Sequence, residues 1–195
     1  VKFPVEISGW INLKNMVLTE GQKVEIKYLG ESGNGGNSYT AKGSGNESYH
    51  ARFTWFVFSE VEIYGLDNLT AEQVEAHLVC SDVEKSGEFR TSNDLLNKIN
   101  QIWQQSQIDN MHGSIASDCP HRERLGYTGD GQLACRAAMA CLDVESFYRK
   151  WMQDIADSQD VLSGHIQYTA PYIRSGGGPG GWGCAIVEVP YQLYK

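Results

Sequence analysis

One stretch of this chain is dense in groups able to move protons. Residues Asp118 to Asp130 read DCPHRERLGYTGD, which sets three carboxylates (Asp118, Glu123, Asp130), two arginines (Arg122, Arg124) and His121 close together. Pro120, Gly126 and Gly129 punctuate it. The spacing therefore predicts a loop leading into a helix, with Thr128 as N-cap and Asp130 in the first turn. Loops held by a rigid scaffold are where function concentrates. Cleaving a glycosidic bond needs a protonated carboxylic acid beside the leaving oxygen and a second carboxylate to activate water or attack, around an oxocarbenium-like transition state. Three carboxylates in one loop can supply the acid and the stabilising charge. Neighbouring like charges raise one carboxyl pKa, while Arg122 and Arg124 push the other way, and the sequence leaves that balance open.

Plainer readings exist for each residue. Asp130 suits a helix N-terminus whatever its chemistry, and Glu123 with Arg122 suits a surface ion pair of little energetic weight. Cys119, His121 and Glu123 suggest zinc, and His121-x-Glu123 is similar to nucleobase deaminases, but the Pro-Cys-x-x-Cys partner motif is absent. Cys119 also lacks a histidine at a spacing diagnostic of a nucleophile pair. No spacing here implies a metal or an organic cofactor. His112 reads as structural, and Trp103 and Trp151 lie on helical stripes as core residues.

The elements that must position this segment change character along the chain. Val5–Ile7, Val24–Tyr28 and Val57–Ile63 carry the two-residue period of strands, and His77–Cys80 reads as a last strand. The Gly-, Asn- and Ser-rich run from Gly30 to Asn46 predicts a long flexible hairpin loop. It is no phosphate loop, since no Gly-Lys-Ser/Thr ends it and no helix follows. After about Gly87 the period becomes helical: Ser92-Asn93-Asp94 caps a stripe of Leu95, Leu96, Ile99, Ile102 and Trp103. Further helices are expected over 132–141, 144–155 and from Ala185 onward, with a Gly-rich loop over 163–183. All-β followed by all-α predicts two domains, 1–87 and 88–195.

Composition narrows the partners. A net charge of −8 lacks the basic footprint of a nucleic-acid binder, and no apolar run reaches the eighteen residues of a membrane span. Five cysteines without a Cys-x-x-Cys pair fit single buried thiols better than a zinc ribbon or disulfide framework. Neither end reads as a natural terminus, which predicts a piece of a longer chain. Compartment and oligomeric state cannot be read.

The segment Asp118–Asp130 resembles the D-C-P-x-R-(D)-E-R-x-G-W-x-G-D signature of bacterial α-L-rhamnosidases, glycoside hydrolase family 78. The likeness extends outward. Ser81-Asp82, Gly87-Glu88-Phe89 and Ser92–Asn97 are similar to that family's passage from β-sandwich to helical barrel. Gly181-Trp182-Gly183 is similar to its later W-G loop, and Ile7–Trp10 to the start of its preceding sandwich. The resemblance implies a multi-domain all-β plus all-α architecture: a β-sandwich followed by the first helices of a truncated (α/α)6 barrel, about four of twelve. It implies an inverting exo-glycosidase acting on a rhamnose-containing glycan or glycoside. Glu123 then matches the general acid. Asp118 and Asp130 match acidic residues that hold rhamnose hydroxyls and stabilise positive charge, Arg122 an arginine of the same pocket, and Trp182 an aromatic wall. Tyr127 stands where the family commonly has Trp, Cys184 where Asp often follows W-G, and Phe58-Ser-Glu-Val-Glu where F-R-Y-V-E is common. The family's general base lies downstream of these residues; Glu188, the sole acid of the last helix, is not assigned to it. The alternatives are a non-catalytic carbohydrate-binding fragment and an (α/α)6 glycosidase for another sugar.

Overall fold

The structure is a computed structural model that describes residues 1–30, 35–173 and 180–195. The chain divides into two compact units, Val1–Val79 and Cys80–Lys195.

The first unit is all-β apart from one 3-10 turn, Ala71–Gln73. Its strands are β1 (Lys2–Leu18), β2 (Lys23–Leu29), β3 (Gly35–Thr40), β4 (Gly45–His50), β5 (Phe56–Tyr64) and β6 (Val74–Leu78). All six belong to one antiparallel sheet, joined in the order β3-β2-β5-β1-β4, with β6 also paired to β1. They are linked through β1, which pairs with β5 over its first half and with β4 and β6 further along, so the sheet curls around that strand. The two-residue period of β1 breaks partway along. Ile11 and Leu13 are buried, then Met16 and Leu18, one residue out of phase. The register with β4 shifts between Leu13 and Met16, where Asn15 adopts a left-handed φ of 51°. Such a bulge inserts one residue and turns the following side chains to the other face, so only the Val5–Ile7 part of this strand stands out in the sequence. The run predicted as a flexible hairpin loop instead forms β3 and the start of β4, apart from residues 31–34, which lie outside the described set. Tyr28, Phe58, Val24, Ile26 and Val61 complete the core with the β1 residues.

The second unit holds α1 (Asp94–Asp109), a small hairpin of β7 (Met111–His112) and β8 (Ile115–Ala116), then α2 (Thr128–Cys141), α3 (Glu145–Asp157), the single turn α4 (Gly180–Gly183) and α5 (Ala185–Tyr194). Residues 80–87 belong to it. The N–H groups of Ser86 and Gly87 donate to the Cys141 carbonyl, and that of Asp143 to Glu84. As expected, Asn93 caps α1, accepting from the N–H groups of Leu95 and Leu96 at 3.0 and 3.4 Å. The stripe that it opens is not buried. Leu95, Leu96, Ile99 and Ile102 are each 45–66% exposed, and α1 instead buries Gln104 and Gln107. Trp103 packs partly against the core.

The core is built around α3, whose Phe147, Tyr148, Trp151 and Ile155 face Cys135 and Ala138 of α2 and Ala185 and Val189 of α5. Trp151 is fully buried, and its indole N–H donates to the Ala170 carbonyl at 2.9 Å. Gly131 lies directly against its ring, so a Cβ there would overlap the indole. Gly131→Ala is therefore expected to destabilise the protein by about 1–3 kcal/mol through overpacking, read as a lowered thermal midpoint. An unchanged midpoint would contradict this packing.

Candidate active site

The acidic segment starts from the β7–β8 hairpin and ends on α2. Ser117 anchors its entry, with its N–H and hydroxyl both donating to the Asn110 carbonyl. The Asp118 N–H then donates to the Leu125 carbonyl at 3.2 Å, which closes residues 118–125 into a compact loop over the buried Leu125. Arg124 turns the chain with a left-handed φ of 56°.

Downstream, the loop is tied to a second segment. The Thr128 N–H donates to the Tyr168 carbonyl at 2.8 Å, and the Ala170 N–H to that of Gly126 at 2.9 Å. These bonds flank a bridge between Tyr127 and Thr169. The expected N-cap role of Thr128 is corrected by one residue. Tyr127 occupies the N-cap without a side-chain cap bond. The buried Thr128 hydroxyl instead lies 3.1 Å from the Gln167 and Tyr168 carbonyls. It serves as the clasp between the two segments, and Asp130 remains in the first turn of α2.

This framework gathers the candidate residues in two places. In the first, the Cys119 thiol lies 3.0 Å from Asp118 Oδ2 and 2.8 Å from Glu123 Oε2, and Arg122 Nε donates to the same Glu123 oxygen at 2.9 Å. The hydrogen bond from Cys119, followed by that from Arg122, holds the Glu123 carboxyl at about 2. The charge balance left open by the sequence thus falls on the side of the carboxylate. Asp118 is supplied unevenly, since its buried Oδ1 has no hydrogen-bond partner. Sequence reasoning passed over Cys119 because it weighed the thiol only as a nucleophile or metal ligand.

The second place is a cavity of about 600 Å³ lined by Gly129, Asp130, Leu133, Arg136, Trp182 and Glu188, among others. Trp182 sits edge-on to Tyr168, with ring centroids 6.3 Å apart, and its buried indole N–H has no partner. Gly129 keeps the helix backbone against the Trp182 ring, where any Cβ would collide. Gln132 donates to the Gly181 carbonyl, fixing the turn that carries the indole. Desolvation, with a smaller contribution from the charge of Asp118, pushes the Asp130 carboxyl upward. The volume is in the range of small-ligand sites. Arg136 lines it without having stood out in the sequence, because on α2 it reads as an ordinary helix-surface charge. Glu188, weighed in the sequence and not assigned as general base, lines it too.

Asp118, Cys119 and Glu123 also form a group whose donor atoms lie within 4.8 Å of one another, close enough to share a cation. His121 is not part of it. The Cys119 thiol pKa is raised, by burial first and then by its bonds to Glu123 and Asp118. In this arrangement it is accordingly a protonated hydrogen-bond donor.

A family model described as the bacterial alpha-L-rhamnosidase 6 hairpin glycosidase domain matches residues 84–195. An alpha-L-rhamnosidase of Formosa agariphila is 31% identical, over 100% of this chain and 23% of its own length. Among solved structures, alpha-L-rhamnosidase from Dictyoglumus thermophilum superposes with a TM-score of 0.92 at 32% identity, covering 100% of this chain and 24% of that one. The Streptomyces avermitilis alpha-L-rhamnosidase complexed with L-rhamnose gives 0.87 at 29% identity, covering 97% and 20%. The chain thus spans about a quarter of the length of such relatives. With the acidic loop, the α2 start and the Trp182 turn all in a chain of this likeness, it belongs to the bacterial alpha-L-rhamnosidase six-hairpin glycosidase family.

Proposed function

We propose that the full-length protein carrying this chain is an inverting exo-α-L-rhamnosidase, and that Asp118–Asp130 supplies its general acid and part of its sugar site. The observation carrying this reading is the grouping of Asp118, Arg122 and Glu123 around one thiol at the foot of α2. It occurs in a chain similar to an enzyme solved with L-rhamnose. The β unit corresponds to the end of a sandwich domain and the helices to the first part of an (α/α)6 barrel. The division into 1–87 and 88–195 belongs to the same reading, with 80–87 as a connector bonded onto the helical unit.

In this reading Glu123 protonates the glycosidic oxygen, and a carboxylate outside these residues activates water on the opposite face of the sugar. Asp118 and Asp130 bind rhamnose hydroxyls and stabilise the positive charge, Arg122 orients the acid, and Tyr127 and Trp182 offer aromatic faces to the sugar. Glu123 as it stands is a carboxylate. Its acid work requires Arg122 or Cys119 to release Oε2 and a bound sugar to displace water, which disfavours the charged form. A second reading has one observation in its favour: Asp130 is the carboxyl whose pKa is raised, as a general acid requires.

Glu123→Gln in the full-length protein is expected to lower turnover of α-L-rhamnosides with poor leaving groups by about 10²–10⁴-fold. Near wild-type turnover would sink the assignment, and a collapse in Asp130→Asn alone would move the acid to Asp130. The first sugar released should be the β-anomer by NMR; α-L-rhamnose would exclude inversion. Trp182→Ala should raise KM about threefold to tenfold with little change in kcat, and an unaltered KM would remove Trp182 from the sugar site. A panel of aryl glycosides separates rhamnose from other sugars.

A further inference from the structure

Cys119 has one S–H hydrogen and two carboxylate acceptors. Its sulfur lies 2.8 Å from Glu123 Oε2 and 3.0 Å from Asp118 Oδ2, both within bonding reach of a thiol. Only one of these contacts can take the hydrogen at full strength at a given moment. A carboxylic acid about to donate its proton does not need a donor on its oxygen, whereas the carboxylate left behind does. Asp118 would receive the hydrogen in the first state and Glu123 in the second.

We propose that Cys119 is a positioning residue for the acid, its single hydrogen passing from Asp118 to Glu123 as Glu123 gives up its proton. This rests on the reading of Glu123 as the acid. The proton that leaves Glu123 goes to the glycosidic oxygen, and the thiol stays protonated throughout. Nothing is oxidised and no bond to sulfur forms. The thiol's raised pKa fits this role, because burial and both carboxylates disfavour a thiolate between them. Arg122 donates to the same Glu123 oxygen but cannot substitute for the thiol, since it is bonded there and not to Asp118. The charged groups acting on the thiol are Asp118, Glu123, Arg122 and Arg124. Asp130 is coupled to Asp118 from the first turn of α2.

The direction of the pH effect follows. The hydrogen bond from Cys119 is the foremost cause that lowers the Glu123 pKa. Without it that pKa rises, the acid stays protonated to higher pH, and the basic limb of kcat, which reports the substrate-bound enzyme, moves upward. In the full-length protein, with an aryl α-L-rhamnoside as probe, Cys119→Ala should shift the basic limb up by about one pH unit. Cys119→Ser, which restores an O–H donor, should return it most of the way to the wild-type position. A basic limb that stays put in Cys119→Ala, while Glu123→Gln has lost turnover, overturns the role of Cys119 and leaves the acid in place. Retained turnover in Glu123→Gln overturns both. Thermal melting verifies that each variant is folded. Should Cys119→Ala not fold, the infrared S–H stretch in the difference between wild type and Cys119→Ser reports the bond directly. A band displaced by hydrogen bonding supports the role, and a free-thiol band at every pH overturns it.

Discussion

The helical unit depends on the seat of Trp151. Its indole is fully enclosed, gives its N–H to Ala170 and rests its ring on Gly131. Ala170 in turn bonds Gly126, and Thr128 bonds Tyr168. One side chain thereby fixes the spacing between α3, the first turn of α2 and the 168–170 segment. The acidic loop ends in that joint. Its backbone is tied down by the Asp118–Leu125, Thr128–Tyr168 and Ala170–Gly126 hydrogen bonds, the kind of support that a functional constellation needs.

Within the loop the carboxylates live in unequal surroundings. Glu123 Oε2 receives two donors, Asp118 Oδ1 receives none, and Asp130 is pushed toward its neutral form. Unequal environments are how a set of chemically similar groups is given different tasks. The resting arrangement favours the charged form of Glu123. In the proposed role as acid, substrate would have to change that balance before proton transfer, linking binding and activation through the same two hydrogen bonds.

Much of this was legible in the residues. The change of period near Gly87, the Asn93 cap and the dense 118–130 loop all follow from local patterns, and the segment also carried the family likeness. What escaped notice depends on contacts between distant residues. β1 hides behind its own bulge at Asn15, and β3 forms from a Gly- and Asn-rich run because β2 offers it a partner edge over Lys23–Tyr28. Thr128 has the right residue type for an N-cap, yet the carbonyls of Gln167 and Tyr168 claim its hydroxyl. Cys119 shows in the sequence as a metal-ligand or nucleophile candidate and as part of the signature, not as a donor to carboxylates. That contact needs the loop to fold Glu123 back onto it, four residues later, beside Asp118.

The row Leu95, Leu96, Ile99 and Ile102 on α1 has a physical cost of its own. Four aliphatic side chains held in register on a capped helix form a ready adhesive strip, and apolar area of this kind attracts whatever apolar surface it meets first. Produced as these 195 residues alone, the chain would offer that strip to chaperones, to detergents and to its own copies.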